Sequence, residues 1–305
     1  EYDLQSFSKA LFQLPVSVSA HAAAVVIGDS QSDLSEWVPT QFVPSSNRIV
    51  TQFDMTQIEE LGFVKLDTLS VGTLDTVADC VDYIGYDPFE QEISEHGSMQ
   101  YDDAKTYQLI TSGYTDGLFQ LSGGTAKQVI KQIGGCHSFD DIVAVMSLGR
   151  PGAVKFASKY RANREANWDD VELVNDDMKM LLRKSYGVVL FQEDVMSIVW
   201  HLEMSPEHLD TIMKAVKKKD YAIFDKVGPD FIEHALNKGW TRDEAEDVWL
   251  QIRDYAGYGF NKAHAVSYAD LAYKTAYLKA NYPGYFIASK MKQFSTKGDA
   301  KKKQE

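Results

Sequence analysis

At 305 residues, 44% of them hydrophobic and 25% charged, the chain can bury one large core or two smaller ones, and no apolar run approaches the length of about 18 residues that a membrane span needs. The formal net charge of −13 argues against a uniformly basic nucleic-acid binder, but it lies in the first third: residues 1–100 carry 16 Asp/Glu against 3 Lys/Arg, and residues 101–305 carry 28 of each. Cys80 and Cys136 lack a CxxC pattern or a nearby histidine pair, as expected of reduced thiols in a cytoplasmic protein.

The opening "EYDLQSFSKALFQLP" has no basic region leading into an apolar one, so it does not read as a secretory signal. Residue 1 is not methionine, and a processed or excised piece of a longer chain is expected. The first 75 residues read as mixed α/β. "AHAAAVVIG" (20–28) predicts a buried strand, and "RIVTQFD" (48–54) a second, β-branched one. Asp54 is placed to cap a short helix, "MTQIEEL", that ends at Gly62; "FVKLD" (63–67) is then a strand delivering Asp67 at its end.

From about residue 76 the pattern turns helical. Apolar residues recur at helical spacing over 125–133, 139–148, 153–162, 177–184, 192–203, 207–216, 220–237, 242–256 and 264–280. "SPEHLD" (205–210) offers a Ser cap followed by Pro, and "TRDEAEDV" (241–248) a Thr cap followed by acids. The polar tail "STKGDAKKKQE" (295–305) is expected to be disordered.

Among residues that can carry chemistry, Lys65 and Asp67 share one face of their strand. A carboxylate for Mg²⁺ beside a cation for phosphate suits phosphoryl transfer, although an ordinary surface pair is the commoner reading of that spacing. His21, flanked by small residues, reads as a core histidine, since no second metal ligand stands at metal spacing. Arg150 lies in a Gly-Arg-Pro-Gly turn, expected at a helix start where backbone donors assist phosphate binding. Lys155, Lys159, Arg161 and Arg164, interleaved with Phe156 and Tyr160, have the composition of a nucleic-acid groove, or of a solvated helix face. Lys214 opens a lysine cluster that by itself is a weak signal. "GYGFNKAH" (257–264) brings Tyr258, Asn261, Lys262 and His264 to a helix start behind two glycines. That inventory suits a base and a triphosphate, and equally an ordinary helix boundary.

Five stretches, "VTQFDMTQIEELGFVKLDTLSVGTL", "GLFQLSGG", "IVAVMSLGRPGAV", "KSYGVVLFQEDVM" and "YAGYGFNKAHAVSYADLAYKTAYLKANYP", together resemble the bacterial replicative DNA polymerase III alpha subunit family, the C-family DNA polymerases, in that family's order across residues 20 to 291. The resemblance implies an α+β fold. Residues 1–75 would be the C-terminal part of a Pol β-like palm, 76–294 a helical fingers domain and 295–305 a tail. It implies template-directed addition of deoxynucleotides to a primer end with two Mg²⁺ ions. Asp67 matches the third of the family's catalytic aspartates, Lys65 the lysine beside it, and His21 the histidine of the palm strand. Tyr258, Asn261, Lys262, His264, Arg150 and Lys214 would contact the nucleotide, and Lys155, Lys159, Arg161 and Arg164 the DNA.

The sequence also departs from the family. No Asp-x-Asp pair occurs, and the family's PHP, thumb, clamp-binding, OB-fold and tau-binding regions have no counterpart. Val16 and Ser17 follow Pro15 where the family has a basic residue, and "TIMKAVKKK" stands where it has paired arginines. The chain alone is therefore expected to be inactive, sharing its metal ions with carboxylates from a missing segment or another replisome subunit, with primer-template DNA and deoxynucleoside triphosphates as ligands and no membrane. The alternative is a non-catalytic nucleic-acid-binding or accessory remnant.

Overall fold

The computed structural model describes residues 4–12, 20–21, 23–28, 32–44, 46–257 and 259–296. The chain divides into two compact units, Glu1–Gly72 and Thr73–Glu305. The fold is α+β, with every described strand in the first unit.

That unit comprises α1 (Leu4–Leu11), β1 (Ala24–Ile27), β2 (Thr40–Val43), β3 (Arg48–Thr51), α2 (Met55–Glu60) and β4 (Val64–Asp67). Asp54 caps α2 in a reciprocal box with Gln57, as its position before the helix predicts. The strands pair differently from a strand–helix–strand scaffold. β1 runs antiparallel to β4, with Ala24 opposite Asp67 and Val26 opposite Lys65, while β2 and β3 form a separate hairpin. The period-two alternation then sorts β1 and β4 into two faces. Val25, Ile27, Val64 and Leu66 share one of them and are all exposed.

The second unit is helical: α3 (Thr73–Ile84), α4 (Pro88–His96), α5 (Ala104–Ser112), α6 (Gly124–Gln132), α7 (Phe139–Leu148), α8 (Ala157–Glu165), α9 (Asp176–Leu181), α10 (Gln192–His201), α11 (Pro206–Lys218), α12 (Tyr221–Asn237), α13 (Arg242–Tyr255), α14 (Lys262–Asn281) and α15 (Pro283–Thr296). Ser205 and Thr241 cap α11 and α13 as the sequence predicts, Thr241 through a full box with Glu244. Two apolar clusters fill this unit. One draws on α3 to α8, α14 and α15, the other on α9 to α13. α14 packs on α3, α5, α7 and α15. Its buried Ala265, Ala269, Ala272 and Ala276 let those neighbours approach closely, so it has little amphipathic character.

Two of the chain's crossings between the clusters lie along 188–191 and 255–260. Along 188–191, Val188, Leu190 and Phe191 enter the first cluster and Val189 the second. Along 255–260, Tyr255 and Ala256 belong to the second and Phe260 to the first. Cys80 and Cys136 are free and buried, and burial pushes the Cys80 thiol up to about 11, so it stays protonated at neutral pH. Ser295 and Thr296 continue α15, while 297–305 lie outside the described residues.

Candidate functional site

In the first unit, β4 ends at Asp67 with Lys65 two positions earlier on the same face. Lys65 Nζ donates to both carboxylate oxygens of Asp67, at 2.8 and 2.7 Å. This bond holds the Asp67 carboxyl below its usual range. His21 Nδ1 lies 4.0 Å from Asp67 Oδ1, and the two side chains are 53% and 44% exposed. His21 is therefore not the core histidine its apolar neighbours suggest. A two-stranded sheet is too small to cover the residues that lead into it, and the ring stands beside the carboxylate instead. Among the described residues no three His, Cys, Asp or Glu side chains come together as metal ligands. Asp67 supplies one carboxylate, which is insufficient to fix two Mg²⁺ ions.

A second cluster forms in the helical unit, around a cleft of about 300 Å³ lined by Gly123, Gly124, Arg150, Phe260, His264 and Tyr268, among others. The backbone of Arg150-Pro151-Gly152-Ala153 closes as a turn: Ala153 N–H donates to Arg150 O at 3.0 Å, with Gly152 at φ +92°. Arg150 follows the C-terminus of α7 rather than opening a helix, and the carbonyl end of that helix favours a cation. Its guanidinium lies 3.8 Å from the centre of the Phe260 ring. Phe260 meets His264 edge-on at 5.3 Å, and His264 lies 4.0 Å from Tyr268. The cleft is also lined by Gly123, the cap residue of α6, which makes no side-chain cap.

Asn261 caps α14, accepting from His264 N–H at 2.9 Å. Glu193, at the start of α10, accepts from Asn261 Nδ2 at 3.0 Å and from Lys262 N–H at 2.8 Å. The amides of Lys262 and His264 are thus already bonded within the chain. The Lys262 ammonium extends over the Phe191 ring, 5.5 Å from its centre. Tyr258 lies outside the described residues.

Neither Gly257 nor Gly259 has left-handed backbone, and α13 ends at Ala256 with ordinary helical angles. What Gly259 provides is space: a Cβ there would stand 2.9 Å from Val216 Cγ1, and Val216 is buried. Gly259→Ala should therefore destabilise the helical unit by about 1–3 kcal/mol, the usual cost of overpacking. Denaturant unfolding measures this, and a variant indistinguishable from the parent would contradict it.

The remaining predicted residues separate. Lys214 pairs with Asp210 at 2.6 Å on an exposed stretch of α11 and does not line the cleft. Lys155 reaches Asp254 at 2.9 Å, Lys159 is exposed, and Arg161 bonds Glu165 one turn on at 2.8 Å. Arg164 is no groove residue. Its side chain is 10% exposed, and Nη1 bonds Asp141 Oδ1 at 2.7 Å and Gly135 O at 3.0 Å. Asp141, 1% exposed, also accepts from Tyr160 Oη and from the amides of His137 and Ser138. The basic stretch therefore divides by burial: Lys155, Lys159 and Arg161 are exposed, and Arg164 compensates a buried carboxylate.

Sequence reasoning missed Phe260, Tyr268 and Glu193. The aromatic at the centre of "GYGFNKAH" was a visible signal for Phe260. Nothing local marks Glu193, because its contact spans 68 positions.

Residues 73–239 match the model of the bacterial DNA polymerase III alpha subunit finger domain, and residues 2–70 that of the bacterial DNA polymerase III alpha NTPase domain. The chain is similar to the DNA polymerase III subunit alpha of Aquifex aeolicus, 36% identical over 90% of this chain and 23% of that protein. The Staphylococcus epidermidis protein of the same name is 34% identical over 92% of this chain and 26% of its own length; the Caulobacter vibrioides one is 34% identical over 90% and 24%. The chain thus spans about a quarter of the length of these curated relatives. Since the finger-domain model alone covers more than half of it, the chain belongs to the bacterial DNA polymerase III alpha subunit family.

Proposed function

We propose that the chain is part of a template-directed DNA polymerase acting in DNA replication, a nucleotidyltransferase that extends a primer 3′ end with deoxynucleotides. The observation that carries this reading is the group His21–Lys65–Asp67, a half-exposed carboxylate at a strand end held by a cation. Asp67 is its metal-ligating carboxylate, and Lys65 is placed to meet a phosphate when it leaves Asp67. The described residues do not fit two Mg²⁺ ions by themselves, and Asp67 contributes one carboxylate to a site that others would complete. The exposed apolar face of Val25, Ile27, Val64 and Leu66 supports a sheet that continues into, or packs on, another segment.

The cleft of the helical unit is the proposed nucleotide contact, with Arg150 and His264 facing it beside the uncapped start of α6. Lys262, whose ammonium lies over the Phe191 ring, does not line it, and Asn261 acts through the backbone of α14. Exposed Lys155 and Lys159 remain available to a DNA backbone, at a modest salt-dependent gain each. Among the described residues no helix is long and apolar enough to cross a membrane, and a cytoplasmic location belongs with this reading.

Primer extension tests it. The chain alone, given Mg²⁺, deoxynucleotides and primer-template DNA, should not extend the primer; mixed with a segment of the family carrying Asp-x-Asp, it should. In that mixture Asp67→Asn should slow extension roughly a hundredfold or more, the scale of removing one charge-stabilising group. Extension unaffected by Asp67→Asn would leave only a non-catalytic nucleic-acid-binding role.

A further inference from the structure

We infer that Glu193 is a positioning residue for the cleft in the helical unit, setting where the Arg150–Phe260–His264 wall stands; its functional meaning rests on the nucleotide reading above. Glu193 touches none of the cleft's lining side chains. It acts through two of the chain's crossings between the apolar clusters, 188–191 and 255–260, which it links through Asn261 and Lys262. One oxygen receives Asn261 Nδ2 and the other the Lys262 amide. One residue earlier, the Gln192 amide donates to Phe260 O at 2.8 Å. From the other side, Tyr255 Oη, itself buried, bonds both the amide and the carbonyl of Phe260, at 2.7 and 3.1 Å. The backbone of 260–262 is therefore held from two directions, and Glu193 supplies the only charge among these contacts.

The consequences run outward from that backbone. Fixing Asn261 fixes the cap that receives the His264 amide, and so the ring that stands edge-on to Phe260. Fixing Phe260 fixes the surface on which the Arg150 guanidinium rests. A carboxylate accepts both donors at once. A glutamine accepts one with its single oxygen and turns a donor towards the other, and Asn261 cannot invert its amide without surrendering the His264 bond.

Hydrogen exchange on the chain, read amide by amide, tests the clamp without reference to activity. In Glu193→Ala the amides of Lys262 and His264 should exchange at least about tenfold faster, as loss of a charge-assisted bond implies, with α12 and α13 unchanged. Glu193→Gln should fall between Ala and the parent. Unchanged exchange at Lys262 and His264, or acceleration spread evenly through the helical unit, would overturn the inference. In a second arm, dATP binding should weaken about tenfold in Glu193→Ala, the equivalent of one such bond. Should the parent not bind dATP at all while the exchange pattern holds, the clamp stands and the nucleotide reading falls.

Discussion

Arg164→Met should destabilise the helical unit by about 3–5 kcal/mol, because it leaves Asp141 charged and buried without its cation. Methionine conserves most of the side-chain volume, so cavity formation contributes little to the loss. What remains around Asp141 is Tyr160 Oη and two backbone amides, which satisfy hydrogen bonds but carry no compensating charge. In a unit of this size the midpoint of thermal unfolding should fall by roughly 10 °C. Adding Asp141→Asn removes the orphaned charge, so the double variant should recover part of that loss. A single variant within about 1 kcal/mol of the parent, or a double variant whose losses simply add, would show that the pair is not coupled in this way.

Asp194→Asn should change how stability depends on pH. Asp194 is buried and accepts from the amides of Leu190 and Phe191, both at 2.9 Å. Burial nevertheless pushes its carboxyl up to about 6 from 3.8, against the lowering effect of those two amides. Between these values the folded form holds the proton that the unfolded chain has lost, so stability falls as pH rises. The shift of about two units corresponds to about 3 kcal/mol, absent below pH 4 and complete above pH 6. Carboxylates with lowered values, such as Asp177, act in the opposite sense, so the informative quantity is parent minus variant. That difference should slope downward from pH 4 to 6 and then level. A flat difference over the whole range would mean that Asp194 is charged in the fold at little cost.

Legibility in the sequence followed locality. Helices read from apolar periodicity, α6 to α14, stand close to their predicted ranges, and Asp54 and Thr241 cap where expected. α3, α4 and α5 went unread: α4 buries little beyond Pro88 and Phe89, and α3 and α5 place Thr76 and Thr106 in the core. α15 begins at Pro283, where a proline reads as a stop but serves as a first helical residue. β2 is hidden between Pro39 and Pro44, and its hairpin turns through Asn47 at positive φ. In the site, Lys65–Asp67 and the turn of Arg150 are local and were legible. Arg164, Glu193 and the exposure of His21 depend on partners distant in sequence, or on how little covers them, and no spacing reports that.

α3 and α15 are the first and last helices of the second unit, and they pack on each other, joined by Thr76 to Gln293 and by Asp79 to Lys292 at 2.6 Å. The order of synthesis therefore matters. A ribosome releases α3 some two hundred residues before its partner, so α3 emerges with one side uncovered until α15 follows. A cut at residue 239, where the finger-domain match ends, would remove α14, on which α3, α5 and α7 pack, and α15, on which α3 packs. As a piece for expression, any fragment of the helical unit that stops short of α15 leaves α3 without that partner.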